Sequence, residues 1–423
     1  MQFRAVKGTF DVLPDEIGRW QKLEHAFRRM AELYGYQEAR TPILEPLELF
    51  VRSVGETTEM VEKQMFALQR GDETLALRPE GTAGAARAYV ANSVHAREAV
   101  SRWYYIGPMF RAEQPQRGRY RQFHQAGCEI YGDAGPGSDA EMIDMLVGFL
   151  QGLGIGGVRV LVNSLGAAGT RERYRQALKT HLSPMADRLS DHAKKRLEDN
   201  PLRILDSKDP RDQEAIQEAP SVLDLLDDDD RQHWERLCQA LDALGTPYEV
   251  APRLVRGLDY YTRTLFELQA TGGELGTQNA LLGGGRYDGM IKDVGGPQTP
   301  AIGFAMGLER VLLAMPEDAP PRPPICFVAP IGVRAQAEAL RLGRELRQLG
   351  IVTEVDTRGN SPKSMLRRAD TLGAHACLLL GDAELDKAVV QLKDLRGHTQ
   401  QEVPRAEVAA RVAALLGTDG EKR

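Results

Sequence analysis

The stretch from Phe110 to Glu129, FRAEQPQRGRYRQFHQAGCE, holds five Arg or His side chains and two carboxylates, interleaved with Phe and Tyr. Its QPQRG centre is rich in turn residues, so 106–111 and 119–130 are expected to pair as a hairpin. Side chains alternate faces along a strand, which puts Arg119, Arg121, Phe123, Gln125, Gly127 and Glu129 on one side. At ~3.3 Å per residue, Phe123 to Glu129 spans about 20 Å, the extent of a nucleotide joined to an amino acid. Arginines clamp phosphate oxygens with paired donors. Phe123 offers a plate for a base, Gln125 a polar anchor, and Glu129 an acceptor for an N–H group. A solvent-facing hairpin laced with ion pairs accounts for the same composition.

Four further stretches carry chemistry. LRPEGT (77–82) places Glu80 and Thr82 on a strand-to-helix turn; Glu80 suits an ammonium group, and Thr82 is expected to N-cap the helix through AGAARAYVAN. VRGLDYYT sets Arg256 beside Gly257, followed by Tyr260 and Tyr261. GGGRYD (283–288) is a glycine run of the kind that makes room for a ligand, although a hairpin turn explains it equally. GFAMGLER ends a strand and opens a helix with Arg310 near its first turn, where a cation opposes the helix dipole. That position asks for a reason beyond helix stability. No Ser-His-Asp logic, HExxH, GxxxxGK[ST] or strand-following GxGxxG is present, so phosphate handling falls to arginines.

The elements that must position these residues are legible in outline. Apolar residues at Ile17, Trp20, Leu23, Phe27, Met30 and Tyr34 repeat with helical spacing, so a helix is expected over 15–34. TLALR (74–78) reads as a strand. Between about 166 and 250 the sequence turns polar and helix-prone, the mark of a helical insertion; its Asp227–Asp230 run reads as a solvated loop favouring the next helix N-terminus. PEDAPPRPP (316–324) has five prolines in nine residues and is expected to be a stiff linker between domains. Beyond it, strand and helix alternate over about 100 residues, the pattern of a small α/β domain.

A chain of 423 residues with net charge −6 suits two or three domains. From Arg322 onward there are 16 Lys+Arg against 13 Asp+Glu, so an acidic body precedes a mildly basic segment. This is compatible with a nucleic-acid partner met through local patches. The four cysteines show neither zinc spacing nor a disulfide framework. With no apolar leader at the start and no apolar run near ~20 residues, the chain is expected to be cytoplasmic and free of membranes.

Taken in order, LRPEGT, FRAEQPQRGRYRQFHQAGCE, LVRGLDYY, GGGRYDG and GFAMGLER resemble the histidyl-tRNA synthetase family, and the resemblance runs from KGTFDVLP into the C-terminal domain. RGLDYY and GGGRYD are specific to that family. Arg111 and Arg310 match the general class II synthetase motifs 2 and 3, and the helix before TPILEP, with Pro42, looks like motif 1. The resemblance implies an α+β fold: a class II antiparallel-sheet catalytic domain over 1–320 with a helical insertion about 166–250, plus a C-terminal α/β anticodon-binding domain over 325–423. It implies a histidine–tRNA ligase that activates L-histidine with ATP to histidyl-adenylate and transfers it to the 3′ end of tRNA(His). A homodimer built through motif 1 is also implied; by analogy with other phosphoryl-transfer sites, Mg²⁺ is expected to bridge the β and γ oxygens of ATP, with no protein ligands assigned.

Residue by residue, Arg111 resembles the arginine on the α-phosphate and substrate carboxylate, and Arg310 the one on the γ-phosphate with Arg119 as helper. Phe123 resembles the residue stacked on adenine, and Glu113 one near its amino group. Glu80, Thr82 and Gln125 match positions holding the α-amino group; Glu129 and Tyr261, with Tyr260 beside them, match those around the imidazole. Arg256 matches the catalytic arginine at the reacting carboxylate and α-phosphate. Gln116 and Arg117 fall in the loop that meets the tRNA acceptor end, where the family has arginine and this chain has Gln114. Arg341, Arg344, Arg347, Arg358, Lys363, Arg367 and Arg368 are candidate tRNA phosphate contacts. The alternative, a catalytically silent regulatory paralogue of ATP phosphoribosyltransferase, typically lacks the anticodon domain and the RGLDYY arginine; this chain has both. An RNA-binding sensor lacks an effector segment here. For another ATP-dependent ligase, Glu129 with Tyr261 and Glu80 speaks instead for histidine.

Overall fold

The computed structural model describes residues 3–55, 58, 60–271, 279–317 and 323–417. The chain forms two compact units, Met1–Ala319 and Pro320–Arg423. The middle of the proline-rich stretch lies outside the described residues.

The first unit contributes strands β1 (Gln37–Glu38), β2 (Leu44–Pro46), β3 (Phe66–Arg70), β4 (Glu73–Leu77), β5 (Ser101–Phe110), β6 (Gln122–Tyr131), β7 (Val158–Ser164), β8 (Glu249–Val250), β9 (Thr262–Ala270), β10 (Ala280–Arg286) and β11 (Ala301–Gly307). Eight of them form one sheet in the order β1-β5-β6-β11-β10-β9-β7-β8. Pairing is antiparallel except at the two ends, where β1 on β5 and β8 on β7 run parallel. β2, β4 and β3 make a small separate sheet.

Strand composition decides which face is core and which is cleft. On β11 the sequence AIGFAMG alternates large and small: Ile302, Phe304 and Met306 enter the main core, while Gly303, Ala305 and Gly307 face the other way. On β6, Ala126, Cys128 and Ile130 share that core, leaving Phe123, Gln125, Gly127 and Glu129 opposite. The two strands register with Gly303 across from Glu129 and Gly307 across from Gln125. Small residues on β11 therefore open a trough over the polar side chains of β6.

The core face is covered by the helices Ile17–Leu33 and Pro136–Gly152. Trp20, Leu23, Phe27 and Met30 are buried as their spacing predicts. Phe27 meets Tyr104, Phe149 and Phe304 edge-on at centroid distances of 6.0, 5.8 and 6.3 Å, the geometry aromatic pairs prefer. Ile17, the first of the series, is 38% exposed because it starts the helix at the core's margin.

The polar segment divides in two. Helices Ala168–Leu182, Asp191–Asp199 and Pro210–Ile216 build their own small core around Tyr174, Leu178, Leu197, Ile204 and Ile216. The last helix, Asp228–Leu244, buries Leu237 and Leu241 in the main core instead. Its acidic start is also not a solvated run throughout. Asp227 caps the helix by accepting from the Asp230 N–H at 3.0 Å. Asp230 itself is buried, accepting from the Ala167 N–H at 2.8 Å and from Arg263 Nε at 3.0 Å.

The second unit carries β12 (Ile325–Pro330), β13 (Val352–Val355), β14 (Ala376–Leu380), β15 (Val389–Asp394) and β16 (Thr399–Pro404), ordered β13-β12-β14-β15-β16. The first three are parallel and the last two antiparallel. Cys326 and Val328 pack on one side and Phe327 and Ala329 on the other, so β12 is buried on both faces, as parallel strands usually are.

Candidate active site

The trough is a cleft of about 810 Å³, counting the solvent at its mouth. Glu80, Arg111, Glu113, Arg119, Phe123, Gln125, Arg256, Tyr260, Tyr261 and Arg310 all line it. They come from the β4–helix turn, the β5–β6 hairpin, the loop before β9 and the helix after β11, segments far apart in the chain.

Behind the closed end of the cleft, and not among the residues that line it, Glu129 is fully buried. It accepts from the Tyr105 hydroxyl at 3.0 Å and from the Tyr287 hydroxyl. Glycines make this possible: a Cβ at Gly303 would overlap the Glu129 carboxylate, and one at Gly81 would overlap the Tyr105 ring. Burial pushes the carboxyl up to about 8, and the two phenol donors do not undo it. Thr82 stands behind the cleft wall, its hydroxyl 3.5 Å from that of Tyr105.

Glu80 corrects the sequence reading of the turn. Gly81 is the helix N-cap residue, with Thr82 the first helical position. Glu80 supplies the cap, its two oxygens accepting from the Thr82 N–H at 2.7 Å and the Ala83 N–H at 2.8 Å. It still faces the cleft, and burial raises its pKa while the helix N–H groups lower it. Next to it, the buried Gln125 Oε1 has no hydrogen-bond partner among the described residues. An unpaired amide oxygen in such a place costs about 1–3 kcal/mol, which an N–H donor entering the cleft would remove.

At the open end the arginines converge. Arg111, just beyond β5, donates from Nε to the Pro79 carbonyl at 2.9 Å and lies 5.0 Å from the Phe123 ring centroid. Arg310 donates to the Gly118 carbonyl at 3.2 Å and the Ala280 carbonyl at 3.1 Å. This is the reason for a cation so near a helix start: its side chain is drawn across the cleft mouth. Burial, then Arg119 and Arg111, lower the Arg310 pKa, the sign of positive charge short of counter-charge. Arg119 pairs loosely with Glu113 at 3.5 Å. Arg256 pairs with Glu267, which Gln269 holds at 2.8 Å. A side chain at Gly283 would collide with the Arg256 guanidinium, so the glycine run houses a protein group.

Some expectations fall elsewhere. Regular β6 begins at Gln122, so the alternation does not extend back through Arg121. The Arg121 N–H bonds the Gly8 carbonyl at 2.7 Å, and its side chain packs against Gly8 outside the cleft lining. Gln116 and Arg117 sit on the exposed turn, where Gln116 and Arg119 form an isolated bridge. Sequence reasoning missed Tyr105 and Tyr287, which hold Glu129, and Glu309, which accepts from the His124 N–H at 2.8 Å and so fixes β6 beside Phe123 and Gln125. Tyr287 lay within a quoted motif; Tyr105 could have been found from its register opposite Gly127.

An antiparallel sheet whose cleft pairs an arginine-lined mouth with a buried carboxylate, accompanied by a separate C-terminal sheet domain, defines a class II aminoacyl-tRNA synthetase. Residues 8–311 match the family profile described as Histidyl-tRNA synthetase, and residues 325–415 match that of the Anticodon binding domain. The chain is 59% identical over 414 residues to a histidine–tRNA ligase of Sorangium cellulosum, covering 98% of this chain and 96% of that one. It is 44% identical to the histidine–tRNA ligase of Synechocystis over 97% of this chain and 92% of that one. The apo histidyl-tRNA synthetase structure from S. aureus superposes with a TM-score of 0.81 at 31% identity, covering 97% of this chain and 99% of that one. The chain belongs to the histidyl-tRNA synthetase family.

Proposed function

We propose that the cleft makes histidyl-adenylate from histidine and ATP and passes the histidyl group to the 3′ end of tRNA(His). The observation that carries this reading is the two-ended cleft: buried acceptors at one end and convergent arginines at the other. In this reading the imidazole lies between Glu129 and Tyr261, with Tyr260 flanking. The α-amino group takes Glu80 and the unpaired Gln125 Oε1, with Thr82 behind. Adenine stacks on Phe123 near Glu113. Arg310 and Arg119 hold the γ-phosphate.

The histidine carboxylate and the α-phosphate are both anionic, and Arg111 and Arg256 lie where the two meet. A carboxylate oxygen attacks the α-phosphorus and the bond to pyrophosphate breaks in line. No general base is needed because the nucleophile is already ionised. Preorganised cations stabilise the added charge of the transition state, and orientation supplies effective molarities of ~10⁵–10⁸ M. The terminal ribose hydroxyl of tRNA then attacks the acyl carbon and AMP leaves. Mg²⁺ enters on the nucleotide as MgATP. Among the described residues no group of three or more His, Cys, Asp or Glu forms a protein cage for a metal.

The anticodon-binding domain match and the placement of Arg256 in the cleft favour the enzyme over a silent regulatory paralogue. A homodimer acting in the cytoplasm is part of the same proposal; among the described residues no helix is long and apolar enough to cross a membrane. The test is ATP–pyrophosphate exchange with each of the twenty amino acids. Histidine alone is expected to support it, by a margin of ~10⁴ or more over analogues that leave the buried acceptors unpaired. Equal exchange with another amino acid overturns the assignment.

A further inference from the structure

The loop that carries Arg256 and Tyr261 has neither helix nor strand between 251 and 261, so scattered backbone and side-chain contacts set its shape. Asp259 lies between those two residues, near the end of the loop. Its Oδ1 accepts from Arg203 Nη2 at 2.8 Å, Arg203 Nε at 3.2 Å and Asn200 Nδ2 at 3.2 Å. Both donors belong to the helical insertion, at the turn Pro201–Asp206 and the residue before it. Arg203 is itself anchored, its carbonyl accepting from Arg196 Nη1 at 3.2 Å. On the other side the Asp259 N–H reaches the Val54 carbonyl at 3.3 Å.

The pair is sheltered, with side-chain exposures of 14% for Arg203 and 23% for Asp259. Salt screens such a pair less than one in open solvent, and two donors from a planar guanidinium fix direction as well as distance. Apolar contacts seat the flanks of the loop: Val255 on the core of the insertion, Leu258 beside Phe50 and Val54, and Tyr261 against Leu165 and Leu265. At Asp259 itself the chain is held by the Val54 carbonyl on one side and by the ion pair on the other.

We infer that Arg203 is a positioning residue: the helical insertion grips Asp259 and through it sets where Arg256 and Tyr261 stand in the cleft. This rests on the function proposed for the cleft. Arg203 touches no reactant; its effect is carried by the loop. An insertion with a separate core thus becomes part of the catalytic apparatus, because one end of its polar lock is three residues from Arg256 and two from Tyr261.

The experiment is histidine-dependent ATP–pyrophosphate exchange on the full chain, comparing the native protein with Arg203→Ala, Asp259→Ala and the double variant. A displacement near 1 Å at the reacting groups costs ~10²-fold, so each single variant is expected to lose about that factor in kcat while the ATP KM moves less than about twofold. The double variant should lose no more than Asp259→Ala alone, which already removes the Arg203 contact together with the Asn200 bond. Added methylguanidinium should restore part of the Arg203→Ala rate and none of the Asp259→Ala rate. Unchanged kcat in both single variants, additive losses, or an ATP KM that rises with them overturns the inference. If Arg203→Ala does not fold, Arg203→Lys carries the same comparison: it keeps the charge but not the fork, so a drop in kcat is expected and an unchanged value overturns. A native protein with no histidine-dependent exchange would break the reading of the cleft itself, which separates the two failures.

Discussion

The two ends of the cleft solve recognition by opposite means. At the closed end, Glu80, Gln125, Glu129 and Tyr261 are 2, 7, 0 and 5% exposed, and their polar atoms are held by specific donors or left waiting for one. At the open end, the Arg119 side chain is 37% exposed and its partner Glu113 sits at 3.5 Å. Buried groups select by the cost of an unmade hydrogen bond. Solvent-touched arginines capture by charge and tolerate changes in geometry. On the proposed function, the rigid, desolvated groups surround the side chain to be selected and the charged ones the nucleotide. Arg256 stands between the two, part-buried and locked to Glu267.

Substitutions at each end should expose that division. The largest effect is expected at the junction. Arg256→Ala removes the cation proposed to meet the reacting phosphate and strands Glu267, so exchange should fall ~10²–10³-fold in kcat with a much smaller change in histidine KM. Steady-state exchange kinetics check this, and an unaltered kcat would remove Arg256 from the chemistry. At the open end, Phe123→Ala should raise the ATP KM about tenfold, because base–aromatic stacking is worth ~1–3 kcal/mol. The histidine KM should stay put; if both rise together, the two ends are not separate.

The remaining effect is one of stability at the closed end, not of rate. Glu129 holds its proton up to about 8 against an ordinary 4.5. The unfolded chain releases that proton near the ordinary value, so the native state without ligand loses stability progressively as pH rises from about 4.5 to 8. Glu129→Gln cannot ionise. Relative to the native protein it should gain stability across that window and no more above it, read from urea unfolding at about pH 5, 7 and 8.5. A constant difference over the range would mean that the carboxylate is already ionised in the folded state.

Much of this was legible in the sequence, for an identifiable reason. The small C-terminal α/β domain follows from alternating strand and helix signals, whereas the α+β class and the antiparallel catalytic sheet came from the resemblance of the ordered motifs to the histidyl-tRNA synthetase family. Alternation also gave the cleft face of β6 from Phe123 to Glu129, since parity survives wherever a strand is regular. It failed at Arg121, where the strand had not yet begun and the chain was bonded to Gly8. The capping group was misplaced from Glu80 to Thr82: capping preferences are local, and the buried Glu80 carboxylate, accepting from the Thr82 and Ala83 N–H groups, outcompeted them. The acidic run at Asp227–Asp230 gave no hint that Asp230 would be buried against Arg263, because that contact spans 33 residues of chain.

By itself, the order of residues determined which groups alternate to one side of each strand, where glycine leaves space, and which charges are carried on the hairpin and its companion motifs. Only the tertiary structure decided that Gly303 yields its volume to Glu129, that Gly283 yields its volume to Arg256, and that Asp259, in the loop that carries Arg256, is gripped from the insertion. The reason is physical: facing direction is a local property of the backbone, whereas burial, and the carboxyl of Glu129 it drives up to about 8, depends on what distant segments bring to the same place.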